Sequence, residues 1–164
     1  MTNTEKFKIV VGLGANLGDR AKALTSATNL IEQKVGKVQA VSSFFETLPL
    51  LHPDNPNLEQ PNYLNAVLVL TTTKSPQEVL GALASIEQSL GRDRSLEKYP
   101  WSARVIDLDL IAYEDLILEQ NGLTIPHSQM HKREFVLKPM VEVWPDWKHP
   151  KLGRTTQQLL QELS

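Results

Sequence analysis

Helical and strand periods alternating along the chain predict an α+β fold, and their order predicts how it is built. Three observations carry this. A short apolar run ending in glycines, Lys8 to Gly14, reads as a buried strand. Two segments, Asp19 to Lys34 and the stretch opening at Ser75, read as helices. Between and after them, Lys37 to Thr47, Tyr63 to Thr73 and Arg104 to Tyr113 read as strands. The order β-α-β-β-α-β is the ferredoxin-like arrangement, an α/β sandwich in which helices pack on a mainly antiparallel sheet.

Each element has a local reason. In the first helix Leu24, Ala27, Ile31 and Val35 recur at helical spacing and make one apolar stripe. Asn16 is a candidate cap ahead of it. Lys37 to Thr47 alternates and is rich in β-branched and aromatic residues. Ser75-Pro76-Gln77-Glu78 opens the second helix by three rules at once: Ser75 caps, Pro76 fits the first helical position, and Glu78 completes a capping box. Gly91 after Leu90 supplies a left-handed terminator. A short apolar stretch at Leu116-Ile117-Leu118, a helical patch over 133–143 and a C-terminal helix over 155–163 complete the reading.

The totals bound the function. The 164 residues suit one catalytic domain over 1–164 with a real core. A formal net charge of −2 gives no basic excess for a nucleic-acid backbone, so no nucleic-acid partner is expected. There are no cysteines, which excludes disulfides and cysteine-ligated zinc. Apolar runs such as Ile9-Val10-Val11 are too short to span a bilayer, and Met1 to Lys6 lacks an apolar signal core. The expectation is a cytoplasmic protein without a membrane partner. No helix shows an exposed apolar face, and a monomer is expected.

The segment Arg104-Val105-Ile106-Asp107-Leu108-Asp109-Leu110-Ile111 carries the chemistry. Asp107 and Asp109 alternate with aliphatic residues, so a strand puts both carboxylates on one face. At a rise of about 3.3 Å per residue they stand about 7 Å apart along the strand. Two carboxylates so placed can grip a pair of hard cations, and a Mg²⁺ pair about 3.5–4 Å apart is a known device for in-line attack at phosphorus. Arg104 adds a fixed positive charge for a phosphate oxygen. Two connections are long: Glu46 to Asn62, with Pro49, Pro53, Pro56 and Pro61, and Gly91 to Ala103, with Arg92, Arg94 and Lys98. Loops of that length inside a compact domain are usually functional or disordered. The basic side chains of the second could close over a polyphosphate.

Several other signals are weaker. Gly12-Leu13-Gly14-Ala15-Asn16-Leu17-Gly18 lacks the spacing of a dinucleotide fingerprint, and Asp19-Arg20 stand where a P-loop needs Lys and Ser or Thr. His127 and His131 are four apart, but no third zinc ligand is evident nearby. An Asp-x-Asp strand also occurs in nucleotidyltransferases of the polymerase-β type, whose glycine turn comes shortly before the acids; here it lies far upstream. A ferredoxin-like ligand-binding module is a further reading, but it has no need for paired metal carboxylates.

Together the pieces point to one family. Gly14-Ala15-Asn16-Leu17-Gly18-Asp19-Arg20, Ser42-Ser43-Phe44-Phe45-Glu46-Thr47, Tyr63-Leu64-Asn65-Ala66, Ile86-Glu87 with Gly91-Arg92, the Arg104 to Leu110 block, Ile125-Pro126-His127 and Arg133-Glu134-Phe135-Val136-Leu137 follow in that order. In these the chain closely resembles the 6-hydroxymethyl-7,8-dihydropterin pyrophosphokinases of folate biosynthesis, over nearly its whole length. The resemblance implies transfer of diphosphate from ATP to the hydroxymethyl group of the reduced pterin, with release of AMP. It implies two Mg²⁺ ions on Asp107 and Asp109, with Arg92 and Arg104 completing the catalytic set. It places the pterin against Tyr63, Phe135, Asn65, Thr47, Pro49, Leu50 and Trp101. It places ATP against Glu87, Arg92, Arg94, Lys98, Arg104, Leu110, His127 and Arg133, and makes the two long connections catalytic loops. Pro100, Ser102, Ser128 and Leu48 depart from the family's usual residues.

Overall fold

The structure, a computed structural model, describes residues 5–49, 60–97 and 103–163. A sheet of five strands organises it. The strands are β1 (Phe7–Ala15), β2 (Lys37–Val41), β3 (Phe45–Thr47), β4 (Tyr63–Thr72) and β5 (Asp107–Tyr113). They lie in the order β2-β4-β1-β5, with β3 continuing on β4 beyond β2. Every pairing is antiparallel. Two helices connect these strands, α1 (Arg20–Lys34) after β1 and α2 (Pro76–Ser89) after β4. This is the expected βαββαβ order. A hairpin, β6 (Leu118–Gln120) and β7 (Leu123–Ile125), follows, then α3 (Glu134–Val143) and α4 (Thr156–Glu162).

The sheet is buried on both faces, which explains why β1 reads as an unbroken apolar run. Ile9, Val11 and Leu13 of β1 and Leu68 and Leu70 of β4 face α1 and α2, meeting Leu24, Ala27, Ile31, Val79, Leu83 and Ile86. Val10, Val67, Val69 and Ile111 face the other way, against Val136, Leu137 and Met140 of α3 and Leu159 of α4. A fully buried Leu or Ile side chain contributes about 1.5–3 kcal/mol, so each face is a core in its own right. The capping box of α2 forms as expected: Glu78 N donates to Ser75 Oγ at 3.2 Å, and Ser75 N donates to Glu78 Oε1 at 3.0 Å. No helix among the described residues is long and apolar enough to cross a membrane.

Three local expectations are corrected. The strand expected over Lys37 to Thr47 is broken at Ser42–Phe44. There Ser42 Oγ accepts from Val67 N at 2.9 Å, and Ser43 N and Oγ both donate to Glu142 of α3. Side chains thus take bonds that a continuous ladder would use. Asn16 does not cap α1; Asp19 does, accepting from Lys22 N at 3.1 Å. The acidic strand begins at Asp107, not Arg104. The backbone of Arg104 is occupied by Asn16, whose Oδ1 accepts from Arg104 N at 2.8 Å and whose N donates to Arg104 O at 3.0 Å. The short apolar stretch at 116–118 leads into the hairpin at Leu118, whose second strand, β7, lacked a period long enough to be read.

Candidate active site

The strand registers assemble the site. Gly14 of β1 lies opposite Asn65 of β4 on one side and Asp107 of β5 on the other. Gly12 lies likewise between Val67 and Asp109. Residues directly opposite in a ladder share a face, so Asn65, Asp107 and Asp109 all rise from the α3 side of the sheet. Between them the two glycines leave bare backbone. A Cβ on Gly14 would stand 3.2 Å from Asn65 Oδ1, and one on Gly12 would stand 3.3 Å from Ile111 Cδ1. Glycine in the interior of a strand weakens it and often marks a close approach by another group. Here it opens a flat floor between an amide wall and a carboxylate wall.

The amide wall is fixed before any ligand arrives. Asn65 Nδ2 donates to Thr47 Oγ1 at 2.7 Å and to Phe45 O at 3.2 Å. Its carbonyl oxygen is left facing the floor, as an acceptor for a ligand N–H. Tyr63 and Thr47 are register partners at the same edge, and Pro49 follows β3. The Tyr63 hydroxyl is raised above its ordinary pKa, first by burial and then under the opposing charges of Arg104 and Asp107 beside it. Across the floor, Arg133 precedes α3 and Phe135 lies in its first turn, with the guanidinium carbon 5.6 Å from the ring centre. Phe135 keeps 37% of its surface exposed in a protein that buries most large apolar side chains.

The carboxylate wall carries the charge. Glu87, 2% exposed, sits beneath it. Glu87 Oε2 accepts from Arg92 Nη1 at 2.7 Å and from Leu108 N at 2.7 Å, and Oε1 accepts from Arg94 Nη2 at 2.9 Å. Arg92 Nη1 also donates to Asp107 Oδ1 at 3.0 Å, and Arg104 Nη1 lies 3.3 Å from Asp107 Oδ2. Burial opposes the charge on Arg92. The hydrogen bonds to Glu97 and the charges of Glu87 and Asp107 more than offset it, holding the guanidinium above its ordinary pKa. Asp109 is the opposite case. Burial first, and the charge of Asp107 second, push its carboxyl up to about 7, with Arg133 acting weakly against them. His127 is held by its N–H to Ile111 O at 2.9 Å. Its imidazole is pushed down by burial and by Arg133, so it is neutral at pH 7. Its Nδ1 accepts from Gln129 N at 3.2 Å, which leaves the proton on Nε2.

Asp107, Asp109, Arg92, Arg104, Glu87, Tyr63, Asn65, Thr47, Arg133 and His127 thus gather at one end of the sheet. Arg94 reaches in from the surface and helps line a cleft with Ala84, Gln88 and Gly91 beside the end of α2. The side chain of Leu110 is not among them: it lies in the core under α1 and α2, on the other face from the aspartates. Leu50, Lys98 and Trp101 lie outside the described residues, as do Pro53, Pro56, Pro100 and Ser102. Two residues escaped the sequence reading. Asn16 is buried and also donates to Gln60 Oε1 and Pro61 O, both at 3.2 Å, so it pins 60–61 and Arg104 to the end of β1. Glu97 pairs with both arginines, and its signal was an acid inside a loop read only for its bases.

Comparison with known proteins shows the family. Residues 10–145 match the family model described as 7,8-dihydro-6-hydroxymethylpterin-pyrophosphokinase (HPPK). The chain is 43% identical over 155 residues to 2-amino-4-hydroxy-6-hydroxymethyldihydropteridine pyrophosphokinase of Synechocystis sp., covering 94% of this chain and 75% of the relative. It is 37% identical over 137 residues to the protein of the same name from Haemophilus influenzae, covering 83% and 81%. It is 38% identical over 154 residues to folic acid synthesis protein fol1 of Schizosaccharomyces pombe, spanning 93% of this chain but 20% of that longer protein. Among solved structures, Plasmodium falciparum HPPK-DHPS with pteroate superposes with a TM-score of 0.72 at 18% identity, over 99% of this chain and 44% of that one. That likeness concerns the fold. The family match and the identities over most of the chain decide the kinship: this chain belongs to the 7,8-dihydro-6-hydroxymethylpterin-pyrophosphokinase family.

Proposed function

We propose that the protein, acting as a monomer in the cytoplasm, transfers diphosphate from ATP to the hydroxymethyl oxygen of 6-hydroxymethyl-7,8-dihydropterin, releasing AMP, in Mg²⁺-dependent folate biosynthesis. The observation that carries this reading is the glycine floor with its two unlike walls. One wall reads a flat ring, with the Asn65 acceptor and the Tyr63 and Phe135 rings. The other gathers Asp107, Asp109, Arg92 and Arg104, which suits phosphate. The pterin hydroxymethyl oxygen attacks the β-phosphorus, the bond from that phosphorus to the bridging oxygen of the α-phosphate breaks, and AMP departs. Arginines held in place by Glu87 and Asp107 neutralise charge spread over the phosphate oxygens without reorganising.

Asp107 and Asp109 fit a Mg²⁺ site by their chemistry. They are hard oxygen donors on one face of β5, and burial with the charge of Asp107 disfavours the ionised form of Asp109, which a bound cation would favour. No third carboxylate or histidine joins them in a metal-sized cluster among the described residues. This suits an ion that takes one or two carboxylates and completes its shell with substrate phosphates and water. Bound there, Mg²⁺ would neutralise the transferring phosphates. One consequence concerns pH. A cation needs Asp109 ionised, so Mg²⁺ affinity should rise by up to about tenfold per pH unit below 7 and level off above it. Titrating Mg²⁺ at pH 6, 7 and 8 checks this, and a flat profile from 6 to 7 would contradict it.

The reading is tested by AMP formation from ATP with and without the reduced hydroxymethylpterin. AMP should appear only with the pterin. Tyr63→Ala and Phe135→Ala should each weaken pterin binding by about 3- to 10-fold, from a stacking contribution of about 0.5–1.5 kcal/mol. ATP affinity should change much less. Separate titrations with each ligand decide, and equal losses for both would assign the rings to packing.

A further inference from the structure

We propose that Glu97 is a positioning residue that stands in for a substrate phosphate: it holds Arg92 and Arg104 until nucleotide binding exchanges its carboxylate for a phosphate oxyanion. The identity of the nucleotide rests on the functional reading above. Arg92 Nε donates to Glu97 Oε2 at 2.9 Å and Arg92 Nη2 donates to Glu97 Oε1 at 3.0 Å. That is a two-bond, fork-to-fork pairing, the geometry in which guanidinium grips either a carboxylate or a phosphate. Glu97 Oε1 also lies 3.7 Å from Arg104 Nε. One carboxylate thus bridges both arginines, as a bridging phosphate oxyanion would.

The two ends of Arg92 are not equivalent. Its Nη1 is committed to Glu87 Oε2 and Asp107 Oδ1, at the buried base of the wall. Its Nε and Nη2 edge faces Glu97, so an incoming anion reaches that edge by displacing Glu97. Glu87 also holds Leu108 N and Arg94, and it is locked between strand and helix. Among the described residues Glu97 takes no side-chain bond from a strand or helix backbone. It follows the 3₁₀ turn Arg94–Leu96, and its backbone N–H donates within that turn to Arg94 O. Its carboxyl is pulled below the ordinary range, first by the hydrogen bonds from Arg92 against the opposition of burial, so it enters the exchange as an anion.

Charge gives the exchange a direction. Glu87, Glu97, Asp107 and Asp109 face Arg92, Arg94, Arg104 and Arg133, four acids against four bases. A polyphosphate adds several negative charges, and moving Glu97 out removes one. The ligand-free protein gains from Glu97 as well, because without it the Nε and Nη2 edge of the buried Arg92 would lose both hydrogen bonds, leaving Asp107 alone between the two guanidiniums. Glu97 has already given up the arginines in the bound ground state, and the phosphate keeps them through the transition state. The exchange therefore sets nucleotide affinity and leaves the chemical step alone.

The test compares wild type with Glu97→Gln, which keeps the shape and loses the charge, and with Glu97→Asp, which withdraws the carboxylate by one methylene. The probes are α,β-methylene-ATP and inorganic tripolyphosphate, each with Mg²⁺, titrated by calorimetry, alongside kcat and KM for ATP. Glu97→Gln should bind both probes about 3- to 10-fold more tightly and lower KM by a similar factor with kcat within about twofold. Glu97→Asp should fall between it and wild type. A merely structural Glu97 would give weaker binding and lower kcat, and unchanged or weaker affinity in both variants overturns the proposal. Failure of wild type to bind Mg²⁺ and α,β-methylene-ATP at all would instead overturn the functional reading, and this inference with it.

Discussion

Asp107→Asn and Asp109→Asn should each reduce AMP formation by about 10²-fold or more, but they should move stability in opposite directions. Under the proposed Mg²⁺ site, the loss of rate follows from removing a carboxylate whose charge would serve a cation at the transferring phosphates, an effect of several kcal/mol on the transition state. The stability signatures follow from the surroundings. Asp107 binds Arg92 and Arg104 with its two oxygens, and asparagine keeps only one acceptor. Asp107→Asn therefore loses about 1–3 kcal/mol. Asp109 has its carboxyl raised to about 7 by burial and by Asp107. A carboxyl whose folded pKa lies above its unfolded value binds more protons when folded, so its contribution falls as pH rises from about 4 to 7. Asp109→Asn removes that cost and gains up to about 2–4 kcal/mol at pH 8 without metal. Steady-state AMP formation and thermal unfolding of both variants at pH 8 check the pair. Near-normal turnover in either would contradict the metal assignment.

Glu87→Ala should be the most damaging single change to the wall. Glu87 takes hydrogen bonds from Arg92, Arg94 and the backbone of Leu108, all at or below 2.9 Å. Removing one partner of a buried ion pair leaves the other charge stranded, at a cost of about 3–5 kcal/mol. Asp107 and Glu97 keep part of the compensation for Arg92, which holds the loss within that range. The variant should unfold at markedly lower denaturant concentration and lose turnover, since the start of β5 would no longer be tied to α2. Denaturant melts measure the first and AMP formation the second. A stability within about 1 kcal/mol of wild type would show that Glu87 does not hold the wall together.

Much of this was legible in the sequence because periodicity and capping are local. The β1 run, the α1 stripe of Leu24, Ala27 and Ile31, and the Ser75–Glu78 box formed where their spacing put them. The Asp107 and Asp109 pair was legible for the same reason, because alternation on a strand fixes the face. What escaped was long-range. Ser43 gives no sign that Glu142, far along the chain, will take its N–H and break the strand. Asn16 sits beside a helix start and reads as a cap, yet its partners are Arg104, Gln60 and Pro61. The glycines of β1 read only as the end of an apolar run that lacks a dinucleotide fingerprint. Their place between Asn65 and Asp107 exists only once three strands are in register. Arg92 read as a loop cation, and it is buried among carboxylates.

A site that moves a diphosphate intact from ATP to the pterin leaves a distinct labelling pattern. The most direct measurement follows ATP labelled at the β-phosphorus, incubated with Mg²⁺, the protein and reduced hydroxymethylpterin. Label is expected in the pterin product, with a stoichiometric yield of unlabelled AMP, and neither product when the pterin is left out. Label retained in ADP with a monophosphorylated pterin, or AMP formed equally without pterin, would contradict it.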